Sequence, residues 1–273
     1  MPLDQPDEPR AGAEMTFLDH LEALRWHLIR SASAIFIFAI IAFFYSRVVF
    51  DYILLAPKSD NFPTYRFFCW LSYQLFGDDQ LCMKAIDFNL INTSMSGQFT
   101  TDLTVALVAG LVVAFPYLLW ELWRFIKPAL YEKELKHANG LIFWGSFLFF
   151  SGVAFGYFVI TPLSVYFFGN YKVSELVGNQ INLSSFISTV VSTTLGAGIV
   201  FELPIVIYFL SKIGLVGPVF LRKTRKISYV VILIIAAIIT PPDVTSQIIV
   251  SIPLFLLYEV SIWISARVEK NKI

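Results

Sequence analysis

Charge is scarce in this sequence. Of its 273 residues 15% are Asp, Glu, Lys or Arg and 57% are hydrophobic, whereas soluble domains carry about 25% charge. So few charges cannot coat a globule in water. They suffice for the two ends of a helical bundle whose sides face lipid. The charges also cancel, 20 basic against 20 acidic, so no overall basic field exists to attract nucleic acid. Histidine is rarer still, with His20, His27 and His137 the only three. None has the Cys or carboxylate spacing of a metal site, and each is expected to be an interfacial polar residue. The patterns G-x-x-x-x-G-K-[ST], H-E-x-x-H and G-x-S-x-G do not occur, which argues against the nucleotide and hydrolase chemistries they support. The chain reads as a non-enzyme with no cofactor and no metal. Residues 1–15 are polar, contain Pro2, Pro6 and Pro9, and lack the apolar core of a signal peptide. They read as a disordered cytoplasmic tail, with 269–273 as a second one.

What the sequence has is six apolar runs. The expected helices are Leu28–Tyr45, Thr101–Trp120, Gly140–Thr161, Phe186–Ile213, Ile227–Thr240 and Gln247–Ala266. A span needs roughly 20 residues, so the fifth is short, as it can be where the bilayer thins or neighbours shield it. Pro204 is expected to kink the fourth. With both termini inside, 15 of the 20 Lys and Arg residues fall on cytoplasmic segments and 5 outside, as the positive-inside rule requires. The fold expected is an all-α integral membrane protein with six transmembrane helices, N-in and C-in, spanning residues 16–268 of a bacterial inner membrane protein. Gly152 and Gly156 form a G-x-x-x-G in the third helix, read here as ordinary packing.

The longest outside segment, 46–98, is rich in aromatics and turn formers and is expected to form a small cap. It holds both cysteines, Cys69 and Cys82. Thiols outside the cytoplasm tend to be oxidised, so a bridge worth roughly 3 kcal/mol in the loop-entropy account is expected; two unpaired buried thiols are the alternative.

At the N-terminal side, Thr16 and Asp19 fit a capping box. Phe17, Leu21, Leu24 and Leu28 recur at helical spacing, opposite Asp19, His20, Glu22 and Arg25. This reads as an amphipathic helix along the cytoplasmic interface, the alternative being a solvated lead-in to the first span. After the second helix comes Pro116-Tyr-Leu-Leu-Trp-Glu-Leu-Trp-Arg-Phe-Ile-Lys-Pro-Ala-Leu-Tyr-Glu-Lys-Glu134. Its Trp and Tyr suit a membrane interface, but anchoring does not explain Glu121, Glu132 and Glu134 on a side otherwise rich in cations.

This segment resembles the signature of the TatC family of the twin-arginine translocase, with Pro116, Trp120, Glu121, Trp123, Phe125, Pro128, Ala129, Leu130, Tyr131 and Glu134 in register. His20-Leu21 with Leu24-Arg25 is similar to the family's N-terminal motif. Phe201-Glu202-Leu203-Pro204 is similar to its helix 4 motif, and Thr240-Pro-Pro-Asp-Val-Thr-Ser-Gln247 to its helix 5–6 turn. The resemblance implies a receptor for twin-arginine signal peptides of folded precursors. It also implies the core of a translocase that recruits single-span TatA/TatB-type subunits, works as a homo-oligomer in complex, and is driven by the proton-motive force.

It further implies a signal-peptide site containing Glu134, Glu22, Glu121, Trp123, Phe125 and Arg25. Carboxylates suit that role, since guanidinium–carboxylate pairs can be bidentate and contribute about 1.5–3 kcal/mol per hydrogen bond. Partner contacts are implied at Glu202, Pro204, Gln247 and Asp243. Two of these have a plainer reading beside them: Glu202 as a hydrogen-bonded structural carboxylate near Pro204, and Asp243 as the cap of helix 6. Glu259 is placed to pair with a Lys or Arg near the inner face. Three departures stand out. The family's acid before Leu-Arg is Ala23 here, with Glu22 one residue earlier and about 100° round the helix. Leu135 follows Glu134 where the family usually has a basic residue, and Lys127 stands where some members carry an acid. Weaker signal-peptide binding is expected from Ala23 and Lys127. A small secondary transporter with Glu202 at the midplane is the alternative reading, but no repeat between the halves supports it.

Overall fold

The computed structural model describes residues 17–59, 61–75, 77–78, 82, 89–126, 138–174, 176, 178–240 and 244–270. Thr16, Glu132, Glu134, His137 and Asp243 lie outside the described residues, as do Lys127 and Leu135.

The first helix, α1, runs from Phe17 to Phe44 without interruption. A separate interfacial helix followed by a span was expected. No Gly or Pro occurs between Phe17 and Phe44, so nothing in the backbone favours a break, and amphipathic lead-in and span form one rod. The apolar stretch Leu21–Phe44 contains no buried residue. Phe36, Ile37 and Ile40 are all more than half exposed, which suits a rod whose sides meet lipid.

The cap has structure of its own. It contains α2 (Ser46–Val48), a π-helical turn Val49–Leu54, a 3-10 turn Ala56–Lys58, α3 (Pro63–Leu75) and the short strand β1 (Leu90–Ile91). Cys69 and Cys82 are joined as a disulfide. Next come α4 (Gly97–Ile126), α5 (Ala138–Phe155), a π-helical turn Gly156–Ile160 and α6 (Thr161–Asn170). Strand β2 (Ile181–Asn182) pairs in parallel with β1, Leu90 opposite Ile181. It thereby ties the α1–α4 connection to the α6–α7 connection at one end of the bundle. Asn182 extends this tie, donating to Thr93 Oγ1 at 2.7 Å while its carbonyl oxygen caps the next helix by accepting from Ser184 N–H.

That helix is α7 (Leu183–Phe201); after one turn residue at Glu202 it resumes as α8 (Leu203–Lys212). The chain ends in α9 (Pro218–Ile239) and α10 (Val244–Lys270). Helix α9 starts nine residues before the expected Ile227. Its first turns carry Arg222, Lys223, Arg225 and Lys226, which hide a helix from a search for apolar runs. Among the described residues five helical stretches are long and apolar enough to cross a membrane: Leu21–Phe44, Gly97–Ile126, Gly140–Asn170, Leu183–Lys212 and Ser246–Lys270.

The third stretch continues past Thr161 despite Pro162. Proline has no N–H to return to the carbonyl four residues back, here that of Phe158. The Thr64 hydroxyl of α3 donates to that carbonyl instead. Tyr65 donates to the Pro57 carbonyl at 2.9 Å, and Tyr157 to that of Ile53 at 2.6 Å. The cap is thus clipped onto the helix through the backbone groups its irregular turns free.

The packing has two centres. One lies where α7, α8, α9 and α10 meet, around Phe201, Ile232, Leu254 and Tyr258. The other joins the cap to α4, α6 and α7 around Leu54, Val105, Phe186 and Val190. Helix α5 approaches α7 closely at Gly152, as does the π-helical turn that follows it at Gly156. A Cβ at Gly152 would stand 2.7 Å from the Ala197 carbonyl, and one at Gly156 would stand 2.7 Å from Thr194 Cα. The G-x-x-x-G is an internal packing face.

Candidate functional site

The sequence marked the C-terminal end of α4 and the N-terminal half of α1, and the structure brings these together. Helix α1 packs along α4. Near its C-terminus α4 turns Glu121 inward, with 1% of the residue exposed. His27 Nδ1 of α1 lies 2.5 Å from Glu121 Oε2, Tyr117 donates to Glu121 Oε1 at 2.9 Å, and Arg124 Nη1 stands 3.8 Å from the same oxygen. The spacing explains the arrangement. Tyr117 and Arg124 are four residues before and three after Glu121, hence on its face of the helix. A carboxylate buried this deeply requires such partners. Phe125 closes the cluster with its ring edge-on to His27 at 6.0 Å.

One expectation changes here, that for His27. Glu121 is buried, its carboxylate engaged by the protein's own side chains. His27 is not a bland interfacial residue but the long-range partner of Glu121, 94 positions away. Sequence reasoning passed over it because nothing local to His27 marks a partner on another helix. The remaining signal was its place one turn from Ala23, on the same face of α1.

The other candidates are spread over the bundle. Glu22 and Arg25 are exposed on α1. Trp123 is buried and packs its ring 5.7 Å from that of Phe209 in α8; its indole N–H has no hydrogen-bond partner among the described residues. Glu202 sits at the interruption between α7 and α8. It is 9% exposed, and neither carboxylate oxygen is hydrogen-bonded within the described residues. Gly145 of α5 faces it, and a Cβ there would come within 3.6 Å of Glu202 Oε2. Pro204 is fully buried in the first turn of α8, where a missing N–H costs no helix bond. Gln247 of α10 is half-buried and donates to the Leu233 carbonyl of α9 at 3.3 Å. Glu259 accepts from Arg225 at 2.8 Å and from Tyr229 at 2.6 Å, tying α10 to α9. Among the described residues no group of His, Cys, Asp and Glu is placed to hold a metal ion.

An apolar groove of about 1020 Å³ opens between α1, α4, α5, α7 and the cap, with Phe38, Tyr45, Val112, Phe150 and Tyr157 in its walls.

The family model of the Sec-independent protein translocase protein (TatC) matches residues 19–253. The chain belongs to the TatC family. The TatC of Blattabacterium sp. subsp. Periplaneta americana is 41% identical over 261 residues, covering 95% of this chain and 98% of the relative. That of Aquifex aeolicus is 32% identical over 259 residues, covering 94% and 98%. Among solved structures, a twin-arginine translocase receptor TatC crystallised in DDM is similar with a TM-score of 0.70 and 33% identity, over 90% of this chain and 99% of that one. This TatC-family chain is therefore a component of the Sec-independent protein translocase and a multi-pass protein of the inner membrane. The secondary-transporter alternative is set aside.

Proposed function

We propose that this chain is the receptor and core subunit of the twin-arginine translocase. It takes the signal peptide of a folded precursor at the cytoplasmic face and recruits TatA/TatB-type single-span subunits for transport driven by the proton-motive force. The observation that carries this reading is its likeness, over almost its full length, to a solved protein described as a twin-arginine translocase receptor. Six spans with both termini in the cytoplasm complete the arrangement, α9 supplying the span that the five long apolar stretches leave out and Glu202 marking the bend of the fourth. The pairing of β1 with β2 at one end of the bundle agrees with that topology.

In this reading the arginine pair is met by Glu134 in the segment 127–137 and by the exposed Glu22 of α1, with Arg25, Trp123 and Phe125 at the edge of the site. Glu121 contributes from inside, as a group that holds the site's framework. Glu202, Pro204, Gln247 and Asp243 meet partner helices. Glu202 supports this best, because a carboxylate buried without a hydrogen bond is costly in lipid and is found where it meets protein or a wet cavity.

The test is photocrosslinking from positions 134 and 22 to a precursor bearing Arg-Arg or Lys-Lys. Crosslinks to Arg-Arg that vanish with Lys-Lys are expected. Equal crosslinking to both, or none to either, overturns the receptor reading.

A further inference from the structure

Helix α1 packs along α4, and two contacts on that seam stand out. Toward the C-terminal end of α1, Gly110 of α4 lets the backbones approach: a Cβ on Gly110 would lie 2.6 Å from Ala39 N and 2.8 Å from Ala39 Cα. About three turns nearer the N-terminus of α1 stands the His27–Glu121 contact. The two are about 18 Å apart along α1 at 1.5 Å per residue. The α1 residues between carry no fully buried side chain. Among the described residues, the His27–Glu121 contact is a polar fastening on this seam, five residues from Glu22.

We propose that His27 is a positioning residue for signal-peptide recognition. By clasping Glu121 it fixes the end of α1 that bears Glu22 and Arg25 against the end of α4 that leads into 127–137. The inference rests on the receptor reading above and adds a residue that reading does not contain. The arginine pair meets carboxylates on two different chain segments, and bidentate pairing tolerates little error in their separation. Fixing α1 on the end of α4 holds Glu22 in a set place relative to the start of the segment that carries Glu134. Burial strengthens the clasp. Glu121 is almost wholly buried, so its contact with His27 is little weakened by competing water, and Phe125 walls the imidazole on one side. Ala23 lies one turn before His27 on the same face of α1.

Two readouts test this on the full-length protein in lipid nanodiscs. The first is the distance distribution between spin labels at positions 22 and 126, without signal peptide. A narrow distribution is expected for the parent and a broad one for His27→Ala, with His27→Gln, which keeps a hydrogen bond to Glu121, restoring most of the narrow form. The second is the Arg-Arg over Lys-Lys preference in crosslinking from position 134. His27→Ala is expected to lower it at least tenfold, His27→Gln by much less. A distribution unchanged in His27→Ala overturns the clasp. A distribution that broadens while the preference survives overturns its role in recognition. A parent protein with no Arg-Arg preference defeats the receptor reading itself, a result distinct from either.

Discussion

Gly110 of α4 and Ala39 of α1 meet backbone to backbone, with no room for a methyl group between them. The consequence is a prediction on stability. Gly110→Val forces the helices apart and is expected to cost about 1–3 kcal/mol, read as a lower unfolding temperature in detergent. Gly140→Val, at an exposed position with nothing within 4 Å of a new Cβ, serves as the control. Equal shifts for the two would mean that the close approach contributes nothing.

Glu202 leads to opposite effects on folding and function. Removing a buried carboxylate without hydrogen bonds relieves a desolvation cost. Glu202→Leu is therefore expected to be about as stable as the parent or more so. Retention of a single-span TatA/TatB-type partner on co-purification is expected to fall severalfold. Full retention by a stable Glu202→Leu protein would remove Glu202 from the partner site.

The disulfide predicts local rather than global loss. Cys69 and Cys82 are 13 positions apart, and closing so short a loop is worth roughly 3 kcal/mol in the chain-entropy account. Replacing both with Ser is expected to admit protease between residues 70 and 96. The start of α3 should stay protected, because Thr64 and Tyr65 still hold it. Cleavage unchanged from the parent would show that the bridge contributes little.

Arg225 and Glu259 make a 2.8 Å ion pair with side chains 44% and 38% exposed. Solvent screens such a pair, so Arg225→Ala is expected to cost less than about 1 kcal/mol. Glu259→Leu also takes the acceptor from the Tyr229 hydroxyl and should cost more. A double-mutant cycle with Tyr229→Phe measures the difference; no coupling between Glu259 and Tyr229 would contradict it.

Gln247 separates an internal role from an external one. Its amide reaches the Leu233 carbonyl at 3.3 Å, a contact worth about 1 kcal/mol or less in a membrane. Gln247→Leu is expected to change the unfolding temperature little while weakening partner co-purification. A large fall in unfolding temperature with normal co-purification would assign Gln247 to the α9–α10 contact alone.

The sequence by itself determined the class of this protein, most of its helices and its family. Apolar runs, scattered turn formers and the sidedness of Lys and Arg are properties of the chain read locally, and a bilayer converts them into spans. Where a local signal was mixed, the reading slipped. The cations of 222–226 concealed the start of α9, and a change in surface character before Leu28 suggested a boundary that α1 does not have. Only the tertiary structure decided which polar groups meet. His27 and Glu121 are 94 positions apart, Thr64 and the carbonyl freed by Pro162 likewise come from different elements, and Glu202 is left without a hydrogen bond among the described residues because of what surrounds it. Periodicity tells which face of a helix a residue occupies. It does not tell which helix lies opposite, at what register, or how closely; those follow from the packing of α1 on α4 at Gly110 and of α7 against Gly152 and Gly156.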